Sequence, residues 1–186
     1  MDKDRVTIQF CGFGGQGIIL SSVIFGTTAV LHSGMNAVQT QSYGSESRGG
    51  ECQAELILSR KPIISSLADQ LDILVAMSQP ALNQYLKRLK PGGTLIFDPE
   101  FVTRPDRIDI QEISIPATAE AGKLGNKLVA NMFVLGFIQE LTGLISNEAL
   151  CEVISKNVPL KYVELNQKAA RNGMALAKEM NVKMEA

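Results

Sequence analysis

The sequence predicts an α/β domain of the Rossmann or flavodoxin type, with a mostly parallel sheet, helices on both faces and extra helices at the C-terminus. Two observations support this fold class. Residues 5–17, RVTIQFCGFGGQG, run from an apolar, strand-like segment into a glycine-rich turn, and the apolar stretch that follows has helical length. A strand–helix–strand pattern follows farther along, and only helical patterns remain after Pro116. We therefore predict one domain, 1–186, with an α/β core at 5–116 and helices at 117–182.

Composition and charge exclude several classes of function. The chain has 186 residues, and its 18 basic and 19 acidic side chains give a net charge of −1, so it has no basic footprint for nucleic acid. Three widely spaced cysteines and one histidine argue against an iron–sulfur cluster or a structural zinc site. The N-terminus lacks a signal-peptide pattern, and the longest apolar stretch, 18–31, is too short to span a bilayer. We expect a cytoplasmic protein with no membrane segment and no nucleic-acid partner.

The glycine-rich turn is a candidate anion-binding loop. Glycine permits positive φ and close approach of a ligand to backbone amides, and the free N–H groups at the start of the next helix favour an anion. A tight turn that only packs the helix on the strand is the alternative, and one such loop leaves both interpretations open. The candidate ligand-binding residues in this turn are Gly12, Gly14, Gly15, Gln16 and Gly17.

A long uncharged segment surrounds this loop. No Asp, Glu, Lys or Arg occurs between Arg5 and Glu46. A surface helix normally shows a charged stripe at a period of 3.6 residues, so helix 17–33 is predicted to be buried on both sides, by its own domain or by another chain. We therefore predict that this helix is an interface, and that His32 near its end is structural.

The remaining elements follow from strand, turn and capping patterns. Segments 37–43 and 52–58 are predicted to pair antiparallel, because the intervening loop is too short for a helical crossover. The later elements are strand 72–77, a helix opened by Pro80 and ended by Pro91-Gly-Gly93, strand 94–98, strand 108–115, a helix with an apolar face from Leu128 to Leu141, a helix capped by Ser146 or Asn147, and a last helix opened by Pro159.

Three functions compete for the glycine loop. A dinucleotide-binding domain needs an acidic residue about 20 positions beyond the loop, and residues 36–42 contain no carboxylate. A methyltransferase is suggested by residues 89–97, LKPGGTLIF, which resemble a late strand of that superfamily, but the same ribose-binding acid is missing. A purely structural scaffold is compatible with all of the sequence features except the anion-binding features of the loop.

A second motif points to another family. Residues 12–17, GFGGQG, followed by residues 42–50, SYGSESRGG, resemble the gamma subunit of the 2-oxoacid:ferredoxin oxidoreductases, which decarboxylate 2-oxoacids onto coenzyme A. Phe13 and the Ser-Glu-Ser before Arg48 resemble the 2-oxoglutarate or branched-chain members more than the pyruvate members. The similarity continues through residues 131–136, NMFVLG, and through Thr142, Gly143, Asn166, Ala169 and Gly173.

The resemblance implies an accessory subunit with no catalytic or metal-binding residues of its own. In this family thiamine diphosphate is held by the alpha and beta subunits, and iron–sulfur clusters on beta or on a ferredoxin-like delta subunit pass electrons to ferredoxin. The isolated gamma subunit is therefore expected to be inactive. We also expect the uncharged segment 6–45 to pack on the alpha subunit, and to be hidden by homodimer formation when the subunit is alone.

The resemblance also implies a phosphate-rich ligand, coenzyme A, at the glycine loop. Arg48 could clamp a phosphate or carboxylate as a two-pronged donor, whereas a simple Glu46–Arg48 ion pair within the loop is the alternative. The candidate contacts beyond the glycine turn are Ser45, Glu46, Arg48 and Gly49.

Overall fold

The computed structural model describes residues 5–43 and 50–184. Its strands are β1 (Arg5–Phe13), β2 (Asn36–Tyr43), β3 (Glu51–Ser59), β4 (Leu71–Ala76), β5 (Leu89–Phe97) and β6 (Gln111–Ser114). Its helices are α1 (Ile18–Ser33), α2 (Gln79–Tyr85), α3 (Ala117–Lys123), α4 (Ala130–Thr142), α5 (Asn147–Asn157) and α6 (Val163–Met180). No helix within the described residues is long and apolar enough to cross a membrane.

β1 is an inner strand of a six-stranded sheet with the order β2-β3-β1-β4-β5-β6. It pairs antiparallel with β3 along its whole length and parallel with β4. β2 is antiparallel to β3, whereas β5 and β6 continue the parallel part. β3 alone runs against the other strands, so the predicted mostly parallel sheet and the predicted antiparallel pairing of β2 with β3 are both confirmed.

The helices divide between the two faces of the sheet. α1, α3, α4, α5 and α6 enclose the larger apolar core, which includes Phe10, Phe25 and Phe137. α2 covers the opposite face with a smaller core that includes Leu74 and Leu82. The chain therefore leaves β1 toward one face and leaves β4 toward the other. This reversal opens a crevice between the carboxyl ends of two neighbouring parallel strands.

The described chain covers most of α1 but leaves part of its last two turns exposed. Ile24 and Phe25 are fully buried where the helix lies over β2 and β3, while Val30 and Leu31 are 43% and 65% exposed. The alternative in which its own domain covers the whole helix therefore does not hold, and cover by another chain stays a prediction. His32 lies 3.9 Å from Glu152 on α5.

Three predicted boundaries are corrected. β5 begins at Leu89 and contains the Pro91-Gly-Gly93 segment, because an irregularity in its pairing with β4 accommodates these residues inside the strand. The preceding helix therefore ends earlier than predicted. β6 spans Gln111–Ser114, which is shorter than the predicted strand 108–115. Leu128 is 72% exposed in a short 3₁₀ turn, so the apolar face of α4 begins only after it.

An ion pair with a buried carboxylate lies on the sheet face opposite α1. Glu55 on β3 is 6% exposed, and its Oε2 lies 2.7 Å from Nη2 of Arg88. The same guanidinium donates to Oε1 of Gln9 on β1 and to the carbonyl oxygen of Ala68. Because Glu55 is buried, loss of Arg88 would leave its carboxylate unpaired. The guanidinium also links β3, β1 and the 60–70 connection.

Two glycines bring α4 and α6 into backbone contact. A Cβ added to Gly136 would lie 1.8 Å from the carbonyl oxygen of Ala170, and one added to Gly173 would lie 1.9 Å from that of Phe133. The contact is reciprocal, with one glycine on each helix. The absence of a side chain at both positions is what permits this approach of the two helices.

Replacing Gly136 or Gly173 with alanine should separate these helices and lower the free energy of unfolding by about 1–3 kcal/mol or more, since the methyl group cannot fit against backbone. Gly122→Ala in α3 is the matched control, because its nearest neighbour would be an ordinary 3.7 Å away. Chemical denaturation of the three variants checks the prediction. A Gly136→Ala variant as stable as wild type would contradict the close contact between α4 and α6.

Candidate ligand-binding crevice at the glycine loop

Two glycines of the turn between β1 and α1 have left-handed backbone conformations. Gly15 has φ +97° and Gly17 has φ +72°, values that side chains other than glycine adopt at a cost. Gly17 is the N-cap of α1, and none of the described side chains caps this end of the helix. The first N–H groups of α1, beginning at Ile18, therefore have no intrahelical partner and no side-chain cap.

Gln16 ties this turn to the neighbouring strand β4. Its Oε1 accepts a hydrogen bond of 2.7 Å from the amide of Phe13, and its Nε2 donates one of 2.9 Å to the carbonyl oxygen of Met77. The amide of Met77 in turn donates to the carbonyl oxygen of Cys11. Both ends of the Gln16 side chain thus bind backbone groups, so this predicted contact residue braces the turn from inside.

Gly12 and Gly17 are required by packing. A Cβ at Gly12 would lie 2.4 Å from Oε1 of Gln16, and one at Gly17 would lie 2.2 Å from Nδ2 of Asn131 on α4. Asn131 is buried, and its amide nitrogen lies 3.5 Å from the carbonyl oxygen of Gly17. These two glycines let the Gln16 brace and the start of α4 pack against the turn.

Gly14 and Gly15 are the exposed part of the turn. No atom lies within 4 Å of the position that a Cβ at Gly15 would occupy, so the backbone there faces open space. The amide of Gly14 donates a hydrogen bond of 2.9 Å to the carbonyl oxygen of Gly50, where the described chain resumes before β3. The predicted contacts Ser45, Glu46, Arg48 and Gly49 lie outside the described residues.

A crevice of about 170 Å³ lies beside Gly15. Every wall of it follows the carboxyl end of a parallel strand, which is where open α/β sheets bind ligands. The described lining residues are Gly15 and Gln16 after β1, Met77 after β4, Phe101 after β5, and Thr118, Lys127, Leu128 and Ala130 after β6.

The lining is mainly apolar with one cation. Phe101 and Leu128 are 40% and 72% exposed, so apolar surface flanks the opening. Among the described lining residues Lys127 alone is charged, and its Nζ lies 2.7 Å from Oε1 of Glu100 while most of the side chain is exposed. An anion with an apolar arm fits this combination, because the cation and helix terminus attract charge and the walls attract carbon.

The described residues of the crevice contain no evident catalytic group. Asp98 at the end of β5 is 1% exposed, and it accepts hydrogen bonds from the amides of Glu100 and Thr118, which makes it a turn cap. Burial raises the pKa of the Cys11 and Cys52 thiols, which disfavours the reactive thiolate. No group of three potential metal ligands occurs within 5–43 and 50–184.

Sequence reasoning identified the glycine turn but missed the rest of the crevice. Met77 is the last residue of the predicted strand 72–77, so the rule that ligands bind at carboxyl ends of strands could have identified it. Phe101, Lys127 and Leu128 come from connections whose path cannot be read from local patterns. They lie together only because β4, β5 and β6 are sequential parallel neighbours.

Replacing Gln16 with glutamate should lower the free energy of unfolding by about 1–3 kcal/mol at neutral pH, because a carboxylate cannot donate to the Met77 carbonyl. A protonated carboxyl can donate, so its folded-state pKa should lie above the unfolded value of about 4.3. The loss of unfolding free energy relative to wild type should be smallest at a pH below the unfolded pKa. It should grow as pH rises through the folded-state pKa.

Urea denaturation of wild type and variant at several pH values measures this dependence. Gln70→Glu is the control, since Gln70 is exposed and such surface changes alter stability by less than about 0.5 kcal/mol. A Gln16→Glu protein that matches wild type at neutral pH would show that the side chain does not brace the turn.

Comparisons with known proteins agree over nearly the whole chain. The family model described as pyruvate ferredoxin/flavodoxin oxidoreductase matches residues 7–176. The 2-oxoglutarate synthase subunit KorC of Methanothermobacter marburgensis is 43% identical over 182 residues, which cover 94% of this chain and 98% of the relative.

Two solved structures share the fold. The gamma subunit of a keto/oxoacid ferredoxin oxidoreductase from Geobacter sulfurreducens is 38% identical, with a TM-score of 0.84 over 94% of this chain and 97% of that one. A chain of the 2-oxoglutarate:ferredoxin oxidoreductase from Magnetococcus marinus, solved with 2-oxoglutarate, coenzyme A and succinyl-CoA bound, is 28% identical with a TM-score of 0.85. This match covers 96% of the present chain and 32% of that longer chain.

Proposed function

The chain belongs to the pyruvate ferredoxin/flavodoxin oxidoreductase family as a gamma-type subunit of a 2-oxoacid oxidoreductase, and we propose that its complex acts on 2-oxoglutarate. The observation that supports 2-oxoglutarate as the substrate is the end-to-end match, at 43% identity, to a 2-oxoglutarate synthase subunit. The complex would decarboxylate the 2-oxoacid oxidatively, form the acyl-CoA and reduce ferredoxin. A free-standing methyltransferase or other nucleotide-binding enzyme is not favoured.

The role proposed for this chain is to bind coenzyme A, the acyl acceptor. The free amides at the start of α1 and the exposed backbone of Gly15 suit a phosphate group, and Lys127 adds a positive charge beside them. Phe101 and Leu128 offer apolar walls to the pantetheine arm. Among the predicted loop contacts, Gly14 and Gly15 therefore face the ligand, while Gly12, Gln16 and Gly17 shape the turn that holds it.

Catalysis itself is assigned to partner subunits. The described residues provide neither a nucleophile paired with a base nor a cluster-binding set, so thiamine diphosphate and the iron–sulfur clusters are proposed to reside on alpha, beta and delta-type chains. Coenzyme A presented from this chain would reach the acyl group on a neighbouring subunit. This division requires close contact with the alpha-type chain, and we propose a homodimer for the subunit alone.

The lone chain should reduce no viologen dye when mixed with 2-oxoglutarate, coenzyme A and thiamine diphosphate, because it supplies no electron-transfer group. The complex coexpressed with its partner subunits should reduce the dye, and should prefer 2-oxoglutarate over a branched-chain 2-oxoacid. Dye reduction by the lone chain would contradict the accessory role. Preference of the complex for a branched-chain substrate would contradict the proposed 2-oxoacid.

Gly15→Asp should raise the apparent KM of the assembled complex for coenzyme A by about tenfold or more, since a carboxylate at the exposed turn repels phosphate. The apparent KM for the 2-oxoacid should change little. Gly15→Asn is the matched control, because asparagine has the same shape, tolerates a left-handed backbone better than most residues and carries no charge.

Steady-state kinetics with each substrate varied separately distinguish the two variants. An equal effect of Asp and Asn would indicate backbone strain and not charge. Unchanged coenzyme A kinetics in a fully assembled Gly15→Asp complex would leave the turn as a packing element only.

A further inference from the structure

The two edges of the sheet are built differently. β6 is four residues long, and it carries Glu112, which pairs with Arg104. The C-terminal segment also crosses this edge, where Gln111 donates a hydrogen bond to the carbonyl oxygen of Lys183. Short length, charge and a covering segment are the features by which proteins prevent an edge strand from pairing with another chain.

The opposite edge, β2, has none of these protections among its described residues. It pairs residue for residue with β3 from Asn36 to Tyr43, without a register shift, and its sequence, NAVQTQSY, contains no charge and no proline. Within 5–43 and 50–184 only one side of the strand is paired, so its outer N–H and C=O groups are open to another strand. An uncharged edge of eight residues is a template for strand addition.

An apolar groove runs beside this edge, on the face that α1 covers. Its volume is about 290 Å³, and it lies between α1 and β2. Gly26 forms part of its wall, where an added Cβ would be only 3.0 Å from Leu56, so the helix sits low on the sheet. The α1 side of the groove is formed by Ser22, Val23, Gly26, Thr27, Val30 and Leu31.

We propose that this surface, β2 with the exposed side of α1, is the interface of a two-fold dimer in which β2 pairs antiparallel with β2 of a second copy. The proposal deepens the homodimer suggested for the isolated subunit and rests on that part of the proposed function. Pairing in this way joins the sheets of the two copies into one twelve-stranded sheet, twice the six strands of one chain. It also places both α1 helices on the same face, side by side across the axis.

The placement of the elements favours a second copy as the occupant. Val30 and Leu31 of α1 line the same groove as Ala37 and Gln39 of β2. A second copy paired at β2 would bring its own α1 to the same face across the two-fold axis, so the exposed sides of the two helices would approach each other. One arrangement thus pairs the open edge and covers Val30 and Leu31 at the same time.

Charge is also compatible with self-association. Two copies related by a two-fold axis bring the same surface patch together, so any charge in the patch would meet a like charge or be buried. Residues 6–45 contain no charged side chain, which removes this penalty for both the strand and the helix. The absence of charged residues on the outer side of α1 is what a self-complementary interface requires.

Sedimentation of the full-length chain tests the oligomer, and amide hydrogen exchange tests the surface. Wild type should sediment with twice the mass of one chain, with the β2 amides protected. Leu31→Glu and Gln41→Lys should each raise the dimer dissociation constant by at least about tenfold and expose those amides. Both side chains are exposed, so the variants should keep wild-type circular dichroism. Leu160→Glu is the control, because Leu160 is 90% exposed and far from β2 in the chain.

A monomeric wild-type chain, or a dimer that both charged variants leave intact, would overturn the proposal. Protection of β2 that appears only after a partner subunit is added would also overturn it, in favour of a heterologous contact. These measurements use no coenzyme A, 2-oxoacid or partner activity. A failure of the kinetic predictions and a failure of this interface are therefore separate results.

Discussion

The pairing of β1 on both of its edges is the constraint on which the rest of this structure depends. β3 binds one edge antiparallel and β4 binds the other parallel. Because the chain then leaves β1 and β4 toward opposite faces, the carboxyl ends of these strands cannot be covered by one crossover helix. The crevice beside Gly15 is the space that results. Gln16 fixes its shape by hydrogen bonding to the backbone at both strand ends.

The motif residues that identify the family divide into two physical groups. Gly12, Gly17, Gly136 and Gly173 occupy positions where a Cβ would overlap a neighbouring atom, so their identity is fixed by packing. Gly15 instead has a left-handed backbone that faces open space. A glycine motif can therefore indicate a family strongly and still contribute few residues to a binding site. In this chain, most of the motif builds the support of the crevice.

The proposed partner contact and the proposed ligand contact use different parts of the uncharged segment. Its first part forms the buried strand β1 and the exposed turn at Gly15, which belong to the crevice. Its later part forms the outer side of α1 and the open edge of β2, which lie beyond the crevice along the sheet. The absence of charge along the whole segment suits both burial in the core and the proposed association.

The sequence by itself determined the elements that depend on neighbouring residues. The strand and turn at 5–17, the helix after Gly17, the antiparallel pairing of β2 with β3 and the cap at Ser146 all follow from local period, turn chemistry and loop length. The glycine motif and its companion at 42–50 also identified the family. These features need no long-range information, because hydrogen bonding and apolar spacing within about ten residues specify them.

Only the tertiary structure decided which side chains meet. Lys127, Leu128 and Phe101 reach the glycine turn because three parallel strands bring their distant connections to one end of the sheet. The apolar pattern counted Leu128 as core, yet a 3₁₀ turn before α4 directs it outward. Gln16 binds inward because Met77, 61 positions away in sequence, presents a carbonyl oxygen there. Contacts between residues so far apart depend on strand order, which local patterns do not encode.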